Sequence, residues 1–245
     1  MKKGTVLITG VSGGIGKSLA DGFKNAGYYV IGLDVIENPN SNIDKFLLSD
    51  LDKYAVDLEY RNKINTQILS YTNDIEVLIN NAAVQILDHI KELKIEDWKK
   101  TMNVNLTAPL LLSQLLAPQL EANNGNIINI ASIHQQQTKP GFISYASSKS
   151  ALIGLTKALA IDFNGKVRVN AISPAAIDTE MLRAGFANDE SKIEQLNAIH
   201  PSGRIGKPDE VAQVALFIAD VKSGFINGSN ISLDGGISVV LKDLD

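Results

Sequence analysis

The 245-residue sequence contains no cysteine, which excludes disulfide bonds and thiolate-bound metal ions. It contains three histidines, and His89, His134 and His200 lie too far apart along the chain to show the spacing of a histidine metal site. We therefore expect no bound metal, and nothing in the composition points to an oxidising compartment.

The sequence also lacks a cluster of basic residues and a long apolar run. Its formal net charge of −4 disfavours nucleic acids and anionic membranes as partners. The longest uncharged apolar stretch, residues 106–120, contains prolines and falls short of the ~20 residues that a membrane-spanning helix needs. Glycines interrupt the N-terminal apolar run, and no signal-peptide cleavage site follows it. These absences predict a soluble cytoplasmic protein.

Short apolar segments alternate with helical patterns along the chain. Seven segments are predicted to be strands, and they are residues 5–9, 28–33, 45–49, 76–80, 126–131, 167–173 and 230–233. Most of them are apolar on consecutive positions, as strands covered on both faces should be. Helices are expected near residues 14–26, 54–71, 96–121, 143–163 and 208–220. This alternation predicts an α/β fold: a single domain, residues 1–245, with a doubly wound parallel sheet and helices on both faces.

Two segments depart from the alternation. The connection between Asp34 and Asp50 is short and contains Pro39, so we expect a loop or at most one helical turn there. Residues 178–203 form an insertion after the sixth strand, at the sheet edge where open α/β folds bind ligands. We predict that this insertion is a mobile substrate lid.

A glycine-rich loop follows the first strand and opens a helix. Gly10 allows a tight turn, Gly14 a close backbone approach to a pyrophosphate, and Gly16 close contact of helix and strand. Such loops also join strands to helices for steric reasons alone. Asp34, at the end of the second strand, could bind the adenosine ribose or simply face water. Asp50 could reach the adenine or cap the next helix.

Tyr145 and Lys149 are four residues apart in a helical pattern, so they share one face of the helix. A nearby ammonium favours the phenolate and would lower the pKa of the tyrosine from its reference value of ~10. Tyr145 could then exchange a proton with a substrate oxygen, while Ser132 binds the same oxygen. Each residue alone has a structural alternative: Ser132 as a cap and Asn105 as a helix-surface residue.

Motifs along the whole chain resemble those of the short-chain dehydrogenases/reductases, and they are TGVSGGIG (9–16), NNAA (80–83), NVNLT (103–107), YASSK (145–149), RVNAISPAAIDT (168–179) and LDGG (233–236). The resemblance implies a Rossmann-type sheet of seven strands in the order 3-2-1-4-5-6-7. It also implies a nicotinamide cofactor and the catalytic residues Asn105, Ser132, Tyr145 and Lys149, with Asn105 holding a water that links Lys149 to solvent.

The resemblance further implies which residues bind the cofactor: Gly10, Ser12, Gly14, Ile15, Gly16, Asp34, Asp50, Leu51, Asn81, Ala82, Tyr145, Lys149, Pro174, Ile177 and Thr179. Asn81 would also lock the central sheet. Family members are commonly dimers or tetramers, which predicts a homo-oligomer, here a homotetramer. Ala83 and Ala175 stand where the family usually has glycine, and each adds a methyl group beside the expected cofactor.

The expected function is interconversion of a secondary alcohol and a carbonyl with a small-molecule substrate. We expect NAD rather than NADP, since Asp34 would repel the 2′-phosphate of NADP. A sensor or scaffold that binds NAD without turnover, and a 3-oxoacyl thioester reductase, are the alternatives. His134, Phe142 and Met181 are the expected substrate contacts, Arg183 could meet an anionic group, and a sugar-like substrate is suggested.

Overall fold

The computed structural model of the chain describes residues 3–37 and 42–241. Within these residues a parallel sheet has seven strands in the order 3-2-1-4-5-6-7, which confirms the predicted fold and strand order. The strands are β1 (Thr5–Thr9), β2 (Tyr29–Asp34), β3 (Lys45–Leu48), β4 (Ile75–Asn80), β5 (Asn126–Ile130), β6 (Arg168–Pro174) and β7 (Asn230–Leu233). Their ends lie within one residue of the predicted bounds.

Helices cover both faces of the sheet. They are α1 (Gly14–Asn25), α2 (Leu51–Val56), α3 (Leu58–Tyr71), α4 (Ile95–Met102), α5 (Ala108–Ala122), α6 (Ile143–Asp162), α7 (Glu180–Gly185), α8 (Glu190–Ala198) and α9 (Pro208–Ala219). No helix in the described part of the chain has the length and apolar character that crossing a membrane requires.

Two of the predicted helices are interrupted. The helix expected at 54–71 is α2 followed by α3, because Asp57 has an extended backbone and its side chain accepts a hydrogen bond from the Tyr60 N–H, starting a new helix. The helix expected at 96–121 contains a π-helical turn, Asn103–Thr107, between α4 and α5. A π-turn is frequent at functional sites.

The sheet separates two hydrophobic cores, because successive strand residues point to opposite faces. Leu7 and Leu78 pack with α3 and α5 on one face, whereas Val6 and Ile8 pack with α1 and α9 on the other. Apolar residues that lie inside a predicted strand or helix, away from the carboxyl edge of the sheet, are predicted to be core, and five of them are buried as predicted: Phe23, Leu78, Ile128, Leu152 and Val169.

The two irregular segments have different structures. Residues 35–37 and 42–44 contain no helix, in agreement with the expected loop, and residues 38–41, including Pro39, lie outside the described residues. Residues 178–203 contain α7 and α8, and of these two helices only α8 has a buried residue, Ile193. The mobility of this segment stays a prediction.

Candidate active site

Three of the predicted catalytic residues meet at the carboxyl end of β5. Ser132 lies just after β5, where its Oγ accepts from the His134 N–H at 3.2 Å, and its side chain is near enough to Tyr145 of α6 to affect the pKa of that phenol. Lys149 is 2% exposed, and its Nζ donates to the carbonyl of Ile130, the last residue of β5, at 2.7 Å. The same Nζ lies 5.6 Å from the centre of the Tyr145 ring. The shared helix face expected for Tyr145 and Lys149 is therefore present.

Burial controls the ionisation of this pair. It lowers the pKa of Lys149 to about 7, because the ammonium loses its water. Burial also raises the pKa of Tyr145, against a smaller opposing effect of the Ser132 hydrogen bond, although part of Tyr145 remains exposed. The expectation that Lys149 lowers the pKa of Tyr145 is thus wrong in this structure, where desolvation dominates.

Asn105 lies in the middle of the π-turn and is 1% exposed, so the alternative of a helix-surface residue is wrong. Its Oδ1 accepts from the Val84 N–H at 2.9 Å, and its Nδ2 donates to the Val84 carbonyl and to Ser148 Oγ, each at 3.0 Å. These bonds connect the loop after β4 to α6. The predicted role of Asn105 in holding a water stays a prediction.

The glycine loop is shaped by close backbone contacts. Gly10 has φ +72°, and a Cβ there would lie 2.8 Å from the Cα of Ala82. A Cβ on Gly16 would lie 1.9 Å from the Gly10 oxygen, so only glycine fits. A Cβ on Gly14 would lie 2.9 Å from Thr179 Cγ2. The fold therefore brings two predicted cofactor residues, Gly14 and Thr179, together from opposite halves of the chain.

Asp34 is fixed by the glycine loop. Its Oδ2 accepts from the Ser12 N–H at 2.8 Å, and its Oδ1 accepts from the Ile36 N–H at 3.2 Å. Asp34 is partly buried, so the alternative of a merely solvated loop residue does not describe it. Asp50 caps α2 by accepting from the Asp52 N–H at 2.9 Å, whereas its predicted contact with adenine stays untested.

Asn81 joins the carboxyl ends of β1 and β4, as expected from the resemblance. Its Nδ2 donates to the carbonyls of Thr9 and Gly10, each at 2.9 Å. Thr9 Oγ1 accepts from the N–H groups of Asn81 and Ala82, each at 3.0 Å. Sequence reasoning did not single out Thr9 for this role, although its place before the first loop glycine was a usable signal.

The remaining predicted cofactor residues lie around the same edge. Pro174 ends β6, and Ile177, 5% exposed, pairs with Gly206 in an isolated bridge. Leu51 is buried at the start of α2. Ile15 is partly buried and packs against the core on the α1 side of the sheet.

Two of the three predicted substrate residues lie beside Tyr145. The His134 ring stacks on Phe142, with centroids 4.2 Å apart, and lies edge-on to Tyr145 at 5.8 Å. Burial and, to a smaller extent, Lys139 lower the pKa of His134 to about 4, so its ring is neutral at pH 7. Met181 lies in α7 and is 66% exposed.

Arg183, the candidate for an anionic substrate group, is engaged within residues 178–203. Its guanidinium pairs with Asp178 at 2.6 Å and with Glu190 at 2.7 Å. These ion pairs connect α7 to α8 and to the preceding loop. The expectation that Arg183 meets substrate therefore has no support in this arrangement.

The chain is similar to known proteins over nearly its whole length. A family model described as enoyl-(acyl carrier protein) reductase matches residues 10–238. The 3-oxoacyl-(acyl-carrier-protein) reductase FabG of Thermotoga maritima is 35% identical, over 95% of this chain and 97% of that protein. The NAD-dependent glycerol dehydrogenase of Listeria innocua is 32% identical, over 95% of this chain and 93% of that protein.

Solved structures are also similar to this chain over nearly its whole length. The ligand-free aldohexose dehydrogenase of Thermoplasma acidophilum superposes with a TM-score of 0.93 at 30% identity, covering 100% of this chain and 97% of that one. Other similar structures carry NADH or NADP.

Proposed function

The chain belongs to the short-chain dehydrogenase/reductase family, and from that membership we propose an NAD-preferring dehydrogenase of a polyol or sugar. Its reaction is nicotinamide-dependent interconversion of an alcohol and a carbonyl. The observation that carries the proposed mechanism is the meeting of Ser132, Tyr145 and buried Lys149 at the carboxyl end of β5, with Lys149 Nζ 5.6 Å from the centre of the Tyr145 ring. This complete set favours an enzyme over a sensor without turnover.

The glycine loop fits a dinucleotide. Gly13 precedes α1 without capping it through a side chain, so the first N–H groups of this 12-residue helix suit a phosphate. Asp34 offers a carboxylate to the adenosine ribose. The other cofactor residues predicted from the sequence belong to the same proposal. When bound, the nicotinamide supplies or accepts the hydride.

Tyr145 is the proposed acid/base. Its phenol exchanges a proton with the substrate oxygen, and Ser132 donates a hydrogen bond to the same oxygen. Lys149, with a pKa of about 7, is poised to accept or release a proton close to Tyr145 at neutral pH. Asn105 fixes the loop after β4 relative to α6.

Preference for NAD is supported by the charge near Asp34. The stretch that starts at Asp34, the last residue of β2, is DVIENPNSN (34–42); it contains no lysine or arginine, and Glu37 adds a second negative charge. A 2′-phosphate there would be repelled and would displace a ribose hydroxyl that Asp34 can bind. We expect NADH to bind at least ~10-fold more tightly than NADPH. Fluorescence titration of the apo protein with NADH and with NADPH measures the two affinities. Equal affinities would contradict the preference for NAD.

A hydroxylated neutral substrate is supported by the groups beside Tyr145. Neutral His134 offers a hydrogen-bonding ring and Phe142 an aromatic wall. Glycerol, D-threitol and aldohexose dehydrogenases are among the similar proteins. A 3-oxoacyl thioester is the second candidate, since a 3-oxoacyl reductase is 35% identical.

One panel separates these substrates. NAD reduction would be followed with glycerol, D-threitol, D-glucose and D-gluconate, and NADH oxidation with an acetoacetyl thioester. Turnover of a polyol or sugar with little reduction of the thioester is the expected result. Preferential reduction of the thioester would overturn the substrate class while leaving the reaction type unchanged.

We also propose a homotetramer in the cytoplasm. Exposed apolar side chains support association, since Ile161, Val221 and Phe225 are at least 80% exposed. Asn227 donates to the Ala160 carbonyl, which brings the loop around Phe225 next to Ile161. Light scattering across protein concentrations tests the assembly, and a monomer at all concentrations would contradict it.

A further inference from the structure

Ser148 lies between the two proposed proton-transfer residues of α6 and is fully buried. Its Oγ donates to the carbonyl of Tyr145 at 2.8 Å and lies 3.0 Å from Asn105 Nδ2. A hydroxyl has one hydrogen, and a carbonyl oxygen cannot donate. Ser148 must therefore accept the hydrogen bond from Asn105, so the direction of this chain of hydrogen bonds is fixed.

The orientation of the Asn105 amide is fixed in the same way. The backbone N–H of Val84 can only donate, so Oδ1 of Asn105 faces it, and Nδ2 faces the Val84 carbonyl and Ser148. One continuous chain of hydrogen bonds thus runs from Val84, through Asn105 and Ser148, to the carbonyl of Tyr145. It joins the loop after β4, the π-turn and the catalytic turn of α6.

We propose that Ser148 is a positioning residue, whose hydroxyl holds the Tyr145–Lys149 turn of α6 against Asn105 and so sets the position of the Tyr145 phenol relative to Ser132. This inference rests on the proposed acid/base role of Tyr145. Without the hydroxyl, an Asn105 N–H is left unpaired in the interior, and the amide or the α6 turn must shift to recover a partner. A displacement of about 1 Å at a reacting group can cost ~10²-fold in rate.

The same helix provides a matched control. Ser144 lies one turn before Ser148, is 1% exposed, and its Oγ has no hydrogen-bond partner among the described residues. Ser144→Ala and Ser148→Ala therefore remove the same atom from buried positions of the same helix. They differ in the hydrogen bonds that are lost.

The experiment compares these two variants with wild type. With the compound that wild type turns over in the substrate panel, Ser148→Ala should lower kcat ~10-fold or more while the KM for NAD changes little. Ser144→Ala should change kcat by less than about twofold. Hydrogen exchange at the Val84 amide, which needs no substrate, should accelerate in Ser148→Ala and not in Ser144→Ala. In an Asn105→Ala background, Ser148→Ala should cost less than about twofold further, because the shared chain is already broken.

Separate results would overturn the inference and the function beneath it. Full turnover by Ser148→Ala, with Tyr145→Phe inactive, would overturn the positioning role and leave the acid/base assignment in place. An equal loss of kcat in Ser144→Ala and Ser148→Ala would show that packing causes the loss, and would also overturn the positioning role. Unchanged hydrogen exchange at the Val84 amide in Ser148→Ala would overturn that role as well. Full turnover by Tyr145→Phe would overturn the proposed acid/base role itself.

Discussion

At the scale of single residues, desolvation determines the ionisation of the proposed proton-transfer groups, Tyr145 and Lys149. Lys149 is a cation that ordinarily keeps its proton to pH 10.5, yet burial brings its pKa to about 7. Its Nζ has a carbonyl partner in Ile130, and no carboxylate is among the causes of its pKa shift. The residue is therefore held in a state where small changes of environment move its proton.

Tyr145→Phe removes the proposed proton donor and keeps the aromatic ring. NADH affinity should stay nearly unchanged, because the ring packing against His134 and Phe142 remains. Turnover should fall by ~10²–10⁴-fold, the range for general acid–base catalysis. Steady-state kinetics on the panel substrate, together with NADH titration, measures both. A variant with wild-type turnover would show that another group transfers the proton.

The depressed pKa of Lys149 makes stability depend on pH. Between pH 7 and 10.5 the unfolded chain binds a proton that the folded chain has released, so this residue makes stability rise with pH. The slope is at most about 1.4 kcal/mol per pH unit and vanishes below pH 7, where both states hold the proton. Urea unfolding of cofactor-free wild type and Lys149→Met from pH 6 to 9 isolates the effect. If the free energy of unfolding changed with pH in the same way in wild type and Lys149→Met, the predicted contribution of Lys149 would be refuted.

At the scale of elements, the segments around the site differ in how firmly they are held. Asn105 of the π-turn forms hydrogen bonds with Val84 in the loop after β4 and with Ser148 in α6. By contrast, α7 buries no residue and α8 buries only Ile193, although Thr179 and Asp189 cap them. Few buried apolar contacts mean a low free energy of local opening. This contrast supports the prediction that residues 178–203 are mobile.

The lid prediction concerns residues 178–203. Peptides from this segment should exchange amide hydrogens quickly in the free protein and slowly with NADH and substrate both bound, since closure would bury part of it. Peptides from β4 and α5, which are buried in either state, serve as the internal reference. Hydrogen exchange followed by mass spectrometry gives the comparison. Equal protection of 178–203 with and without both ligands would rule out a lid.

At the scale of the whole molecule, stability comes from the two cores on either side of the sheet. Leu78 lies in central strand β4, is completely buried, and pairs with Leu7 and Ile127 of the neighbouring strands. Leu48 lies in edge strand β3 and is 57% exposed. The same residue type therefore has two different environments in one sheet.

Leu78→Ala should lower the free energy of unfolding by ~2–5 kcal/mol, because it leaves a cavity in the core. Leu48→Ala should cost no more than about 0.5 kcal/mol, because water already covers much of that side chain. Urea denaturation at one pH compares both variants with wild type. If Leu78→Ala lowered the free energy of unfolding no more than Leu48→Ala does, the surrounding core side chains would have to repack and fill the cavity.

The sequence by itself determined the strands and the reaction class. Runs such as residues 5–9 and 126–131 are local signals, because a strand covered on both faces needs consecutive apolar residues. The need for glycine at position 16 was also readable, since its closest contact, the Gly10 oxygen, lies within the same loop, whereas Gly10 is constrained by Ala82 of a distant loop. The strand order came from resemblance to a family, because apolar runs do not say which strands are neighbours.

The tertiary structure decided the ionisation and the partners of the site residues. The pKa of Lys149, the cap formed by Asp50, the hydrogen bonds of Asp34 with the glycine loop, and the contacts of Asn105 with Val84 and Ser148 are set in the folded chain. Most of these bring together segments that are distant in sequence. Desolvation and hydrogen-bond partners arise only where such segments pack, and no local pattern of residues contains that information.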